Sequence, residues 1–256
     1  MRVLGWAWVA AMYLFILLPV GVLVLFSFQQ GRLPVPPFDG PSLRWYGRIL
    51  SDGALMAAMA NSLLVALASS AVAVALGFLA AQALARHRLP GSAWMRGLLV
   101  APLCVSTLII GLGLLQLFNR LGLGVSLTAT AIGHVVINLP LCFAIVYAAT
   151  GAHQANAERA ARDLGAGDWQ VLRLVTAPML KAPLLAAFFL SVTFSWDEFI
   201  IAFLLTRFDV TLPVEIWSML RSGLSPATNA VGSLVFLVSV AVVILLEIAV
   251  FRKRAA

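Results

Sequence analysis

Six apolar windows divide the chain, at roughly residues 6–28, 57–82, 97–118, 128–150, 182–205 and 230–250. Each is long enough to cross about 30 Å of hydrocarbon at about 1.5 Å per residue. Lipid offers the backbone no hydrogen-bond partner, so windows of this kind are expected to be helices. The connectors differ in character: 29–56 is rich in Pro and Gly, 83–96 is short and basic, 119–127 is short and contains Gly, 151–181 is polar, and 206–229 is mixed. Pro19, Pro102, Pro140 and Pro183 fall inside or near the ends of windows, where a bilayer helix tolerates a break that its neighbours re-satisfy. The stretch from Val3 to Phe28 is too long for the core of a signal peptide and is read as a retained first span. The expected fold class is therefore an all-α polytopic membrane protein, one transmembrane domain over 1–256 with six spans.

Composition agrees with the pattern. Of 256 residues, 62% are apolar and only 11% charged, and the mean hydropathy is +1.02, far from the balance of a soluble domain. Six spans and their connectors leave no room for a soluble catalytic domain. The net charge of +7 raises the question of nucleic acid, but its distribution answers it. With the N-terminus in the cytoplasm, Arg2, Arg86, Arg88, Arg96, Arg159, Arg162, Arg173, Lys181, Arg252, Lys253 and Arg254 all lie inside, against Arg32, Arg44, Arg48, Arg120, Arg207 and Arg221 outside. That asymmetry places both termini and the loops 83–96 and 151–181 in the cytoplasm, and explains the basicity without a nucleic-acid partner. The two cysteines, Cys104 and Cys142, sit in apolar runs and are expected to pack rather than pair.

The chain carries no phosphate-binding G-x4-G-K-[ST] loop, no H-E-x-x-H, no G-x-S-x-G and no metal-spaced His/Cys cluster. No cofactor, metal or catalytic residue is expected on it. The richest stretch is instead Ala157-Glu158-Arg159-Ala160-Ala161-Arg162-Asp163-Leu164-Gly165, continuing through Trp169 to Ala177-Pro178. Residues 155–164 suit a short helix, and Gly165 is placed to end it in a left-handed cap. Small Ala160 and Ala161 would admit a close approach by another surface, with Glu158, Arg159, Arg162 and Asp163 supplying complementary charge. Such a helix projecting from the bilayer reads as a docking knob.

Here the chain resembles the inner-membrane permease subunits of ATP-binding-cassette importers, whose loop follows the pattern EAA, three residues, Gly, nine residues, Ile-x-Leu-Pro. Arg159-Ala160-Ala161 occupies the EAA place, Gly165 follows at the right spacing, and Val175, Ala177 and Pro178 close it. Arg stands where the motif has Glu, with Glu158 one position earlier. Further segments are similar to the spermidine/putrescine branch: Asn61-Ser62-Leu63, Gly133-His134-Val135 through Leu139-Pro140, Ser195-Trp196-Asp197-Glu198-Phe199, and Leu212-Pro213 with Ile216-Trp217-Ser218-Met219. The resemblance implies a bacterial inner-membrane permease pairing with a second homologous permease. It also implies a dimer of ATPase subunits that carries ATP and Mg, and a periplasmic binding protein that delivers a polyamine. An opine or an amino acid is the alternative cargo. A proton-coupled secondary transporter is the alternative class, which the loop motif and the lack of an inverted repeat disfavour.

Elementary physics singles out the acidic pair independently. A carboxylate in hydrocarbon costs at least about 2.5 kcal/mol, so it faces a cavity or finds a partner. On a continuous fifth helix, Asp197 and Glu198 would point about 100° apart. One would line a cation pathway, with Asp197 favoured, while the other pairs with an Arg or a helix terminus; inter-helix contacts for both are the alternative. His134 is either a relay or a hydrogen-bonded packing residue, and Asn61 is an inter-helix contact or a pathway residue. Trp196 and Trp217 are candidates for cation–π contact with substrate, with interfacial anchoring the alternative for Trp217. Glu247 is read as snorkelling or pairing with Arg252 to Arg254.

Overall fold

In the computed structural model, residues 2–87 and 89–251 are described, with side chains at 5–87, 89–241 and 244. Arg88, Arg252, Lys253 and Arg254, and the side chains of Arg2 and Glu247, lie outside the described residues. The chain runs through α1 (Arg2–Ser27), α2 (Arg44–Ser51), α3 (Gly53–Arg86), α4 (Ser92–Val100), α5 (Thr107–Arg120), α6 (Leu127–Ala149) and α7 (Ala152–Asp163). It continues through α8 (Asp168–Val171), α9 (Ala177–Met179), α10 (Lys181–Trp196), α11 (Ile200–Leu205), α12 (Leu212–Ser222) and α13 (Pro226–Phe251).

Three helices are long and apolar enough to cross a bilayer, over Gly5–Ser27, Gly53–Arg86 and Leu127–Ala149. Two further apolar pairs are sharply bent, Ser92–Cys104 against Thr107–Arg120 by 103° and Asp168–Met179 against Lys181–Trp196 by 76°. Counting each pair as one span gives five, so the expected six continuous spans are not reached among the described residues. The 97–118 window straddles the first bend, where Pro102 sits in a 3-10 turn, Ala101–Cys104, and cannot donate to a continuing helix. The 182–205 window breaks between Trp196 and Ile200. In α13, the described apolar stretch is Pro226–Ala241.

By contacts the chain forms two compact units, one comprising the chain up to Met59 with Val214–Leu245, the other Ala60–Pro213 with the chain from Leu246 on. In the first unit, α1 leaves Trp6, Trp8, Met12, Tyr13 and Phe15 exposed, as a helix solvated by lipid does. The Pro- and Gly-rich connector that follows is ordered by Gln29. Its side-chain amide donates to Pro37 O (3.0 Å) and Asp39 Oδ2 (3.1 Å), and the Gln29 backbone carbonyl accepts the Trp45 indole N–H at 2.8 Å.

In the second unit, α3, α6 and α10 enclose a core of Ala73, Phe78, Ala81, Cys142, Phe143, Val146, Leu180 and Ala187. A Cβ on Gly77 would lie 2.8 Å from the Phe143 backbone nitrogen, so α3 approaches α6 more closely than any side chain allows. A satellite cluster, Phe118, Ala129, Ile201 and Leu205, ties α5, α6 and α11 together. Cys142 packs inside as expected, whereas Cys104 is exposed on its turn.

Candidate functional site

The 151–181 segment begins with the expected helix, which starts earlier than its propensities suggest. Gln154 Oε1 accepts the Gly151 N–H at 3.0 Å and so satisfies a donor ahead of the first turn of α7. Gln170 Oε1 accepts the Gly167 N–H (2.9 Å) in the same way before α8. At the other end of α7, Gly165 adopts φ +90°. Its N–H bonds to Arg162 O (2.9 Å) and the Ala166 N–H to Ala161 O (3.1 Å), the two bonds of a Schellman cap. Across this turn Arg162 Nε donates to Asp168 Oδ1 at 3.1 Å. The pair is exposed and contributes little to stability.

The tight turn divides the segment into an outward and an inward face. Arg159, Ala160, Asp163 and Pro178 are exposed, and Ala161 is half-buried. Three large apolar side chains stand in the open, with Leu164 89%, Trp169 69% and Leu174 69% exposed. Glu158 departs from its expected place among the outward charges: it is only 2% exposed. Its carboxylate accepts from Arg86 Nε at 2.7 Å, Thr176 Oγ1 at 2.9 Å, and Arg86 Nη2 and Gln82 Nε2 at 3.3 Å each. Burial alone would raise the pKa of this carboxyl, but the hydrogen bonds from Arg86, Thr176 and Gln82 and the guanidinium charge outweigh it, holding it below the ordinary value. Gln82 and Arg86 are one helical turn apart on α3, and Thr176 closes the π-helical turn Leu172–Thr176. The spacing of Gln82 and Arg86 was the one local signal for this arrangement; their partner lies more than seventy residues away.

The candidate pathway residues occupy less uniform surroundings. His134 is buried, with Nδ1 bonded to Ser195 Oγ, and Ser195 Oγ lies 3.2 Å from Ser69 Oγ. Two turns further along α6 and two turns back along α10, Cys142 Sγ approaches Ala187 O at 3.9 Å, which fixes the antiparallel register of the two helices. The same register sets Asn138 level with Ser191. His134 Nε2, Asn138 Nδ2, Ser191 Oγ and Trp196 Nε1 are buried with no hydrogen-bond partner among the described residues.

Asp197 and Glu198 do not share a continuous helix. α10 ends at Trp196; Asp197 is exposed at its C-terminal boundary, and Glu198 Oε1 accepts the Ile201 N–H at 3.0 Å, capping α11. The break separates their roles more sharply than a helical turn would, because one carboxylate is open and the other is spent on a backbone donor. Asn61 Nδ2 donates to Val210 O (3.1 Å), while Ser62 Oγ accepts the Leu212 N–H (2.8 Å). The two residues thereby hold the 206–211 connector against α3. Trp217 lies on α12, 43% exposed, within the other unit. Among the described residues no three His, Cys, Asp or Glu side chains converge as a metal site would require.

Comparison with known proteins places this architecture. The profile of the family described as binding-protein-dependent transport system inner membrane component matches residues 73–255. The spermidine/putrescine transport system permease protein PotC of Escherichia coli K12 is 28% identical over 95% of this chain and 92% of its own. The putrescine transport system permease protein PotI of the same organism is 32% identical over 87% and 82%. A bacterial ABC transporter involved in the import of the acidic polysaccharide alginate shares the fold, with a TM-score of 0.68 at 21% identity, over 98% of this chain and 95% of that one. An amino acid ABC transporter gives a TM-score of 0.59 over 81% and 98%. The chain belongs to the binding-protein-dependent transport system inner membrane components and is a permease subunit of an ABC importer.

Proposed function

We propose that this permease imports a polyamine of the putrescine or spermidine kind, and that α7 with its Gly165 turn is the handle by which a separate ATPase moves it. The observation that carries the docking role is the exposure of Leu164, Trp169 and Leu174 on a segment otherwise rich in charge. A large apolar side chain held rigidly in water is unfavourable unless a partner covers it. The Schellman cap and the buried Glu158 supply the rigidity, so the apolar tips sit on a platform and not on a loose loop. Arg159, Asp163 and the Arg162–Asp168 pair would form the polar rim of such a contact. In this reading both termini and 151–181 face the cytoplasm, a second permease completes the pathway, and a periplasmic binding protein presents the cargo.

The substrate class follows from the relatives that transport spermidine and putrescine, together with the open carboxylate of Asp197. A diamine carries positive charge, and an exposed acidic side chain at a helix break offers it a station. The decisive measurement purifies the complex carrying Leu164→Ser with Trp169→Ala. ATPase retention is expected to fall about ten-fold, the scale of losing one or two interface anchors, with membrane insertion unchanged. Retention equal to wild type would remove the handle. Uptake of labelled putrescine and spermidine by cells, in competition with opines and amino acids, decides the cargo; competition by an amino acid at equal concentration would reassign it.

A further inference from the structure

Glu158 stands in the most densely bonded side-chain cluster of the second unit, and its bonds lead away from the surface an ATPase would touch. Four donor contacts converge on one carboxylate from two elements: Gln82 and Arg86 from the end of α3, and Thr176 from the π-helical turn ahead of α10. The contact to Arg86 is charge-assisted through two guanidinium nitrogens, the geometry that adds orientation as well as attraction. Arg86 Nη2 also reaches Gly151 O at 3.5 Å, at the start of α7. The same guanidinium therefore meets both the N-terminal boundary and the middle of that helix. A cavity of about 310 Å³ opens beside this cluster, lined by Gln82, Arg86, Glu158, Trp169, Leu172 and Thr176 among others. The hydrogen bonds of Gln82 and Arg86 join α3 to α7 directly.

We infer that the Glu158–Arg86 pair, with Gln82 and Thr176, is an internal strut that makes α7 move as one body with α3, so that force applied at the Gly165 turn reaches the long α3 helix. Glu158 is thus a positioning residue rather than a contact for the ATPase. The inference rests on the reading of 151–181 as the ATPase-facing segment. A hydrogen-bonded junction between rigid helices is the kind of element through which displacement passes between distant sites. The strut also explains why the carboxylate is inward although its neighbours Arg159 and Asp163 are outward. A charge kept for an external partner would stay hydrated in the free subunit, whereas this carboxylate is 2% exposed and already held by Arg86, Thr176 and Gln82.

The test uses the assembled importer in proteoliposomes and reads two quantities from one preparation, the ATPase retained and the substrate imported per ATP hydrolysed. Glu158→Gln and Arg86→Gln are expected to retain the ATPase while import per ATP falls about ten-fold, within the range that coupling residues command. In a Cys104→Ser background, Ala85→Cys and Ala155→Cys, which line one pocket with Glu158, allow a short bis-maleimide to tie α3 to α7. Linking them in the Glu158→Gln protein should restore at least half of the wild-type ratio, which a merely folding-related role would not. A wild-type ratio in the unlinked variants, or a linked variant that stays uncoupled, overturns the strut. If Glu158→Gln fails to accumulate, Thr176→Val takes its place: a ratio lowered by about two-fold supports the strut, and an unchanged ratio overturns it. Loss of the docking handle shows separately, as failure of the Leu164 and Trp169 changes to release the ATPase.

Discussion

The core between α6 and α10 and the 151–179 segment invert each other's chemistry. The first turns polar side chains inward, with His134, Ser195, Ser69 and Asn138 all buried. The second turns apolar ones outward, with Leu164, Trp169 and Leu174 exposed. Within the bilayer a polar group gains nothing from facing lipid, so the helices turn such groups toward one another and close around them with small residues such as Gly77 and Ala187. On the 151–179 segment, charged residues surround the open apolar tips, the exposure on which the proposed docking rests. The contrast teaches that outward apolar residues carry different meanings on different segments: along the uniformly apolar α1 they suit lipid, and on the charged 151–179 segment they are what the proposed docking would cover.

The comparison breaks most decisively at Gly77. Gly77→Val sets branched atoms against the Phe143 backbone, where even a Cβ lies at 2.8 Å. A loss of about 3 kcal/mol is expected in the unfolding of the detergent-purified chain by SDS or urea. A change under half of that would show that α3 and α6 separate easily and that the core is looser than its geometry. Ser195→Ala comes next. It removes the hydroxyl shared by His134 and Ser69 and strands buried polar atoms, for about 1–2 kcal/mol in the same assay. An unchanged transition would mean that water replaces the hydroxyl.

The smallest effect is local and belongs to the loop. Glu158 has a folded pKa below its ordinary 4.5, so the unfolded segment binds a proton more readily than the folded one. Its stabilising contribution is complete above the ordinary value and is lost as pH falls through the lower folded value. Amide hydrogen exchange over residues 152–163 should therefore be pH-independent in protection from neutral pH down to about 5. Protection should then weaken in more acidic solution, and Glu158→Gln should abolish that acid dependence. Protection that declines already between pH 7 and 5 would assign the effect to another group.

Much of this was legible along the chain. The Ala-rich run ending at Gly165 announced both α7 and its left-handed cap, because helix propensity and a glycine stop are local properties. The apolar windows located the long helices for the same reason. The breaks in the apolar windows were not equally legible: Pro102 marked the one in 97–118, but nothing local distinguished the break after Trp196 from a continuous span. That break is set where Glu198 captures the Ile201 N–H and α11 folds onto Phe118 and Ala129. The acidic pair was visible, and so was a division in which one carboxylate meets a helix terminus; that the terminus is the start of α11, after a break in the span, was not.

By itself the sequence determined that this protein is a helical membrane permease, where its long helices run, and that 151–181 carries a capped helix, since hydropathy, propensity and capping act over a few residues. Only the tertiary structure decided which way each polar group faces. Glu158 and Arg159 are neighbours with similar reach, yet one is enclosed by Gln82, Arg86 and Thr176 and the other is open to solvent. The direction of a charged side chain depends on donors brought from distant parts of the chain, and those become neighbours only when the helices pack.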